Sequence, residues 1–359
     1  MNLAKLARRS FLMLSGVAST FVLIPKKGLE TIMNNDVKAD SPSINPTVEQ
    51  SEQRHFDVII IGGNFAGLSA ALQIARTRRQ VLVIDAGKPR NRFAAGSHGF
   101  LGHDGRSPAQ IAQIGREQFL KYPTAHFIEG KAIRAERHQV DFFSVELESG
   151  SIYQSKRIIL AMGVVDHLPE ILGLAERWGK TVNACPYCHG YELAGETWGV
   201  LYRGEASLHQ AKLVLDWSDN VVFFSNGSDQ ISADNRADLE SYGITIEDTP
   251  VESLVGEGEN LSGVKLKDQR VVPIKALFVI TQSSINSPLI SQLGCELEDG
   301  LFGSMIKTNN LKETTVEGVF AAGDIARALH NATWAAADGV SAGIFAHQSL
   351  IVSRNPYYR

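Results

Sequence analysis

Residues 57–85 constrain the fold more than any other stretch. Asp57-Val58-Ile59-Ile60-Ile61 is a short apolar, β-branched run and reads as a buried strand. Gly62-Gly63-Asn64-Phe65-Ala66-Gly67 follows at once, and an apolar-periodic stretch to about Arg79 reads as a helix. Val81 to Ile84 make a second strand that ends in Asp85. In this βαβ arrangement, glycines let the backbone approach a pyrophosphate at a helix N-terminus. Asp85, 18 residues after Gly67, is placed to hydrogen-bond a ribose hydroxyl. Asn64 stands at the second glycine position, where its tolerance of positive φ is expected to preserve the loop. The plainer alternative is a tight βα turn without a ligand.

A chain of 359 residues should form more than one domain. Hydrophobic residues at 44% and charged residues at 21% are ordinary for an α/β protein. A net charge of -4, without a basic-aromatic patch, argues against nucleic acid as a partner. Only three cysteines occur, and two of them fall in Cys185-Pro186-Tyr187-Cys188-His189. A pair at this spacing can close a disulfide and often has depressed thiol pKa values. The alternatives are half of a zinc site or two buried small side chains. Zinc would need a second ligand pair at finger-like spacing, which the sequence lacks, so no metal is expected.

The N-terminus reads as an address. Residues 1–27 combine Arg8-Arg9, an apolar run from Phe11 to Ile24, and Pro25-Lys26-Lys27. The run is shorter than the ~20 residues of a membrane span and suits a signal-peptide core. Ala7-Arg8-Arg9-Ser10-Phe11-Leu12-Met13 resembles a twin-arginine export signal, without the usual preceding Ser and following Lys. Export to the periplasm is expected, with a cytoplasmic location as the alternative. The only candidate cleavage site, Val37-Lys38-Ala39, lies far downstream, so retention as a membrane anchor stays open. Residues 28–54, rich in Asn, Asp, Ser, Pro and Gln, read as a linker.

Further motifs carry a resemblance. Arg157-Ile158-Ile159-Leu160-Ala161-Met162-Gly163 is a strand ending in Ala-Met-Gly, and Gly318-Val319-Phe320-Ala321-Ala322-Gly323-Asp324 is a second glycine-acid element. With residues 57–85 they resemble, in order, the flavin motifs of thioredoxin reductase-like FAD-dependent pyridine nucleotide-disulfide oxidoreductases. Met162 replaces the usual Thr. Arg90-Asn91-Arg92-Phe93 and Ser97-His98-Gly99-Phe100-Leu101-Gly102 resemble a subgroup that includes dithiol oxidases of disulfide natural products.

The resemblance implies an α/β protein of two Rossmann-like three-layer domains. A discontinuous FAD domain, residues 55–166 and 284–359, would carry an inserted pyridine-nucleotide-type domain over 167–283. It implies FAD binding by Gly62, Gly63, Asn64, Phe65, Ala66, Gly67, Asp85, Ala161, Gly163, Gly323 and Asp324. It places Cys188 toward the flavin and Cys185 toward an external thiol, with His189 as acid/base. It also implies a thioredoxin-like protein or small dithiol/disulfide as partner, and a homodimer. Pro186 offers no N–H to a thiolate. Cys295 is expected to pack, His98 and His103 to lie at the surface of a loop lining the flavin, with a binding role as the alternative, and Trp334 to lie near the flavin ring.

The insert departs from the family's NADPH pattern. Its candidate loop, Tyr202-Arg203-Gly204-Glu205-Ala206-Ser207, has Tyr202 in place of the first glycine, which suits neither a tight turn nor close phosphate approach. Glu205 puts a carboxylate in the first helical turn. The next strand, Val221 to Phe224, ends in Ser225-Asn226-Gly227, with neither a ribose-binding acid nor an Arg pair. The expectation is an FAD-dependent thiol/disulfide oxidoreductase with impaired NADPH use. The alternatives are an NADPH-dependent thioredoxin-disulfide reductase and a non-catalytic membrane-tethered flavin sensor.

Overall fold

The computed structural model describes residues 54–352. The expected signal and all but the last residue of the linker lie outside the described residues. The first elements are β1 (His55–Ile61), α1 (Phe65–Arg76), β2 (Val81–Asp85), α2 (Pro108–Phe119), β3 (Ala125–Glu129), β4 (Ala132–Gln139), β5 (Phe142–Leu147) and β6 (Ile152–Leu160). The sheet runs β3-β2-β1-β6-β5-β4. Alternate residues of β1 and β2 enter different cores. Ile59, Ile61, Leu82 and Ile84 pack on one face, whereas Val58, Ile60, Val81 and Val83 pack on the other. A parallel strand covered on both faces must be apolar throughout, which is why the run at 58–61 shows no polar alternation. Fully burying each such side chain is worth roughly 1.5–3 kcal/mol.

β6 serves two kinds of pairing. One edge pairs parallel with β1 from Gln154 to Leu160, and the other pairs antiparallel with β5 over Ile152 to Ser155, as Ser155 with Phe143. Ser107 starts α2 with a capping box completed by Gln110, and Pro108 occupies a first-turn position whose N–H would have no helical partner.

The chain then leaves through β7 (Val165–His167) into a second sheet. Its elements are β8 (Val182–Asn183), α3 (Pro186–His189), β9 (Trp198–Leu201), α4 (Glu205–Leu213), β10 (Val221–Phe224), α5 (Ala233–Ser241) and β11 (Thr245–Glu247). After β12 (Val251–Val255), β13 (Gly263–Leu266) and β14 (Val271–Val272) come β15 (Ala276–Val279) and β16 (Gln282–Ser284). The order β11-β10-β9-β15-β8 is parallel throughout. Trp198, Val200, Phe223 and Phe278 pack on one face, and Leu201, Phe224, Leu277 and Val279 on the other, so this unit also has three layers. β12-β13-β14 form an antiparallel meander. β16 pairs antiparallel with β7, so the outgoing and returning strands form one ribbon.

The last elements are α6 (Leu289–Leu293), β17 (Leu297–Gly300), β18 (Gly303–Ile306), β19 (Val319–Ala321) and α7 (Ala332–Val352). β19 adds to β6 in parallel, which returns the C-terminal segment to the first sheet. α7 lies against α1 at backbone distance: a Cβ on Gly339 would fall 2.0 Å from the Ala66 carbonyl oxygen. Among the described residues no helix is long and apolar enough to cross a membrane.

Candidate active site

The C-terminal ends of β1, β2, β6 and β19 meet at one edge of the first sheet, where ligands of open parallel sheets bind. Gly62 leaves β1 with φ +108°, and a Cβ there would stand 2.3 Å from the Ala161 carbonyl oxygen. Gly67 allows equally close packing of α1, because a Cβ would stand 1.8 Å from the Gly62 carbonyl oxygen. The Gly63 N–H donates to Asp85 Oδ1 at 3.0 Å, which fixes the carboxylate at the loop. Phe65 and Ala66 are buried in the first turn of α1.

Asn64 corrects an expectation. It sits at φ -101°, ψ -157°, in extended backbone, so tolerance of positive φ is not its role. Its Nδ2 donates to Asn91 Oδ1 at 3.3 Å, while its own Oδ1 is buried without a partner. The Ala161 N–H donates to the Ile61 carbonyl at 2.8 Å, and Gly163 follows two residues later with open space beside it. Gly323 lies against Ala66, and Asp324 is next in the chain. An orphaned acceptor, a positioned carboxylate and first-turn N–H groups without helical acceptors fit the phosphates and ribose of FAD.

Cys185 and Cys188 stand at α3. Both are free thiols, so the disulfide expected from their spacing is not formed. Cys185 is the N-cap of α3 and Pro186 occupies the first turn, where a missing N–H costs nothing. The thiol of Cys188 hydrogen-bonds the Cys185 sulfur, which also accepts from the N–H groups of Cys188 and Tyr187. Pro186 offers no N–H here, and the backbone of the next two residues acts on the Cys185 sulfur instead. These bonds, the Cys188 thiol first and Arg90 last, hold the Cys185 thiol below its ordinary value against the opposing effect of burial. Cys188 is pushed up, because its proton is held by Cys185 and burial disfavours a second charge.

Of the two thiols, Cys185 is the one whose ionised form is favoured. We expect iodoacetamide to modify Cys185 about tenfold or more faster than Cys188 near neutral pH. The Cys185 rate should hold as pH falls from the ordinary thiol range, then drop through its depressed pKa. Peptide mass spectrometry across a pH series would check this; equal rates at both sulfurs would contradict it.

Arg90 and His98, both quoted in the subgroup motifs, have partners that the sequence did not indicate. Arg90 is largely buried and donates to Asp166 through Nε (2.7 Å) and Nη2 (2.6 Å), and to Asp324 through Nη1 (3.0 Å). His98, expected at the surface, has its Nδ1 3.3 Å from Glu192 Oε1 and its ring edge-on to His189 at 6.4 Å. Burial, with His98 nearby, keeps the His189 pKa below its usual value, so its ring is neutral near pH 7. His103 stacks edge-on with Phe100, which in turn meets Phe65 of the loop. Trp334 is 44% exposed and lies under the Arg327 guanidinium, and Cys295 is buried beside Thr314.

Residues 56–339 match the pyridine nucleotide-disulphide oxidoreductase family. The chain belongs to this family. It is an FAD-dependent oxidoreductase, and membership implies binding of FAD and of an NAD(P)H-type nucleotide. A thioredoxin reductase of Claviceps purpurea, tcpT, is 31% identical over 308 residues, covering 83% of this chain and 95% of the relative. A thioredoxin reductase of Leptosphaeria maculans, sirT, is 32% identical over 303 residues, covering 80% and 92%. The crystal structure of an oxidoreductase from Agrobacterium tumefaciens superposes with TM-score 0.79 at 44% identity, covering 83% of this chain and 99% of that one.

In this pyridine nucleotide-disulphide oxidoreductase, the second sheet offers its own loop after β9. Tyr202 does not take a left-handed conformation, and its ring is buried against Phe223 at 6.0 Å. Its bulk faces the core, so the steric objection drawn from the sequence does not hold. The charges are another matter. Glu205 sits in the first turn of α4. Beyond β10, Ser225 Oγ donates to Asp248 Oδ1 at 2.7 Å, and Arg236 grips the same carboxylate at 2.8 and 2.9 Å. The arginine at this edge is already neutralised by Asp248.

Proposed function

We propose that this chain passes two electrons between FAD and a dithiol/disulfide through Cys185 and Cys188, running toward dithiol oxidation with little use of NADPH. The observation that carries it is the hydrogen-bonded Cys185–Cys188 pair at α3, within electrostatic reach of Asp324 of the glycine-acid element. On this reading residues 55–166 and 284–359 form the FAD domain, and 167–283 form the insert. FAD, when bound, supplies a two-electron acceptor that returns the dithiol to the disulfide, and oxygen or another oxidant takes those electrons onward.

The thiol steps use this chain's own atoms. A substrate thiolate attacks Cys185 Sγ of the disulfide form, an S–S bond forms between them, and Cys188 leaves as the thiolate. The second substrate thiol, deprotonated, attacks its partner sulfur and releases Cys185. The substrate has then lost two electrons and two protons, and the cysteines have gained the electrons. A neutral His189 is able to accept one proton. By microscopic reversibility Cys185 is the sulfur that bonds substrate in either direction.

Glu205 and the Asp248–Arg236 pair support weak NADPH use, since both place carboxylates where phosphates would bind. Export through residues 1–27 belongs to the same reading, because an exported enzyme meets little NADPH. The names of the two fungal relatives favour the second reading, NADPH-dependent reduction of a thioredoxin-like disulfide.

Flavin absorbance of the FAD-loaded protein, followed anaerobically, separates the readings. Dithiol is expected to bleach it and NADPH to leave it oxidised. Rapid bleaching by NADPH would overturn the preferred direction, and bleaching by neither reagent would favour a flavin-binding sensor.

A further inference from the structure

The edge of the first sheet opposite the glycine loops carries an unbalanced charge. Elsewhere on the surface most Lys and Arg side chains lie against a carboxylate, as Lys131 with Glu148, Lys212 with Asp238, Lys265 with Glu252 and Lys307 with Glu296. Where β1, β2 and β3 begin, the pattern breaks. Arg54 precedes β1, Arg76 ends α1, Arg78 lies in the turn before β2, and Lys121 lies between α2 and β3. All four are exposed. Among the described residues none of them has an acidic partner, and Arg76 donates only to Tyr122 Oη at 3.1 Å.

Backbone bonds set these segments side by side. The N–H groups of Asp57 and Val58 donate to the Gln80 carbonyl, that of Val81 to Thr124, and that of Gln154 to Arg54. Asp57, the carboxylate of this edge, is already held by Lys156 at 2.8 Å and Arg79 at 3.6 Å. At the margin Asp141 is taken by Arg157 at 2.6 Å and Glu317 by Arg137 at 3.5 Å. The edge therefore keeps an excess of positive charge on a chain whose net charge is -4.

A cation at or just past a helix C-terminus has a local reason in the helix dipole, which covers Arg76, Arg78 and Lys121 in part. Arg54 has no helix behind it. It stands where the linker of residues 28–54, which follows the apolar leader, joins β1. The excess charge thus surrounds the point at which a leader would tether the chain. β1 runs parallel to β2 and β6, so the glycine loops lie at its far end, about 20 Å away along its seven residues. Anionic headgroups complement such an edge, because they attract clustered cations at short range and require no pocket.

We propose that this edge docks on a membrane surface rich in anionic lipid: Arg54, Arg76, Arg78 and Lys121 meet the headgroups, and the flavin cradle is turned toward water.

The test is partition of the full, FAD-loaded chain onto vesicles of phosphatidylcholine, alone or with about 30% phosphatidylglycerol, read by co-sedimentation. Anionic lipid should strengthen wild-type binding, partly through the leader, which is the same in every variant. Arg78→Glu with Lys121→Glu should lose about tenfold or more in affinity for the anionic vesicles and nothing on neutral ones. Lys267→Glu with Lys275→Glu makes the same change in net charge on two exposed cations of the β13–β15 segment, and should alter partition less than about twofold. Raising the salt to about 0.5 M should erase the difference between the two pairs.

Equal losses in both pairs would mean that net charge is sensed rather than this edge. Unchanged binding in a folded Arg78→Glu, Lys121→Glu protein would mean that the edge does not meet lipid. Either result overturns the proposal, as would duplex DNA binding lost in that variant without any effect on vesicles. If the variant does not fold, Arg54→Gln with Lys121→Gln decides in its place: about fivefold weaker binding to anionic vesicles sustains the proposal, and unchanged binding rejects it.

Discussion

Cys188→Ser should keep its flavin and lose dithiol-driven flavin reduction by on the order of 10³-fold or more. The cradle that would hold FAD is built from Gly62–Gly67, Asp85, Gly163 and Gly323-Asp324, so removing the Cys188 sulfur leaves it intact. The serine hydroxyl can still donate to Cys185. What disappears is the second sulfur, without which neither a Cys185–Cys188 disulfide nor passage of the electron pair is available. Anaerobic stopped-flow absorbance would read this directly. Retained bleaching at near wild-type rate would mean that dithiols reach the flavin without the pair, and the proposed route would be wrong. Cys185→Ser should be equally slow, but for the different reason that no sulfur remains to receive the substrate.

Gly339→Ala should be a severely damaging single methyl addition in α7. The new Cβ would fall 2.0 Å from the Ala66 carbonyl oxygen and 2.8 Å from its carbon, and neither backbone atom can yield without moving the start of α1. Overpacking of this kind costs about 3 kcal/mol or more. The loss would extend to the cofactor, because Ala66 lies in the first turn of α1, where N–H groups would hold the phosphates. Gly343→Ala, whose Cβ would stand 2.7 Å from the Ala70 oxygen, should be the milder of the two. Thermal unfolding and bound-flavin content across both variants would test the ranking. A Gly339→Ala protein with unchanged melting and full flavin would refute it.

The parts of the fold that rest on local pattern were readable in the chain. Ile59-Ile60-Ile61 and Val81-Leu82-Val83-Ile84 are apolar at every position because both faces of the sheet are covered, and Gly62 and Gly67 mark close backbone approaches. What could not be read depends on distance along the chain. Arg90 and Asp324 are 234 residues apart, and no local period links them. His98 is paired with Glu192, which lies after the cysteines. Asn64 and Tyr202 were misjudged for one reason: residue type was used to infer backbone conformation and side-chain direction, and both follow from neighbours. Asn91 holds the first, and Phe223 the second. Around the cysteines, spacing alone marked the pair, while the lowering of the Cys185 thiol depends first on the Cys188 thiol and then on the backbone of α3.

The ribbon of β7 and β16 has a mechanical meaning. Val165 pairs with Ser284 and His167 with Gln282, so the segment between them departs and returns at one point, separated by a single interstrand spacing of about 5 Å. The segment is closed by this separate two-strand ribbon, and it also meets the first part of the chain directly, Gly179 against Phe93 and His98 with Glu192. The ribbon ties the two ends of the segment together, at a point apart from the strands that carry the glycine loops. The main fold treats more than a hundred residues as it would a hairpin turn, which makes the ribbon the natural place to cut, graft or replace the segment.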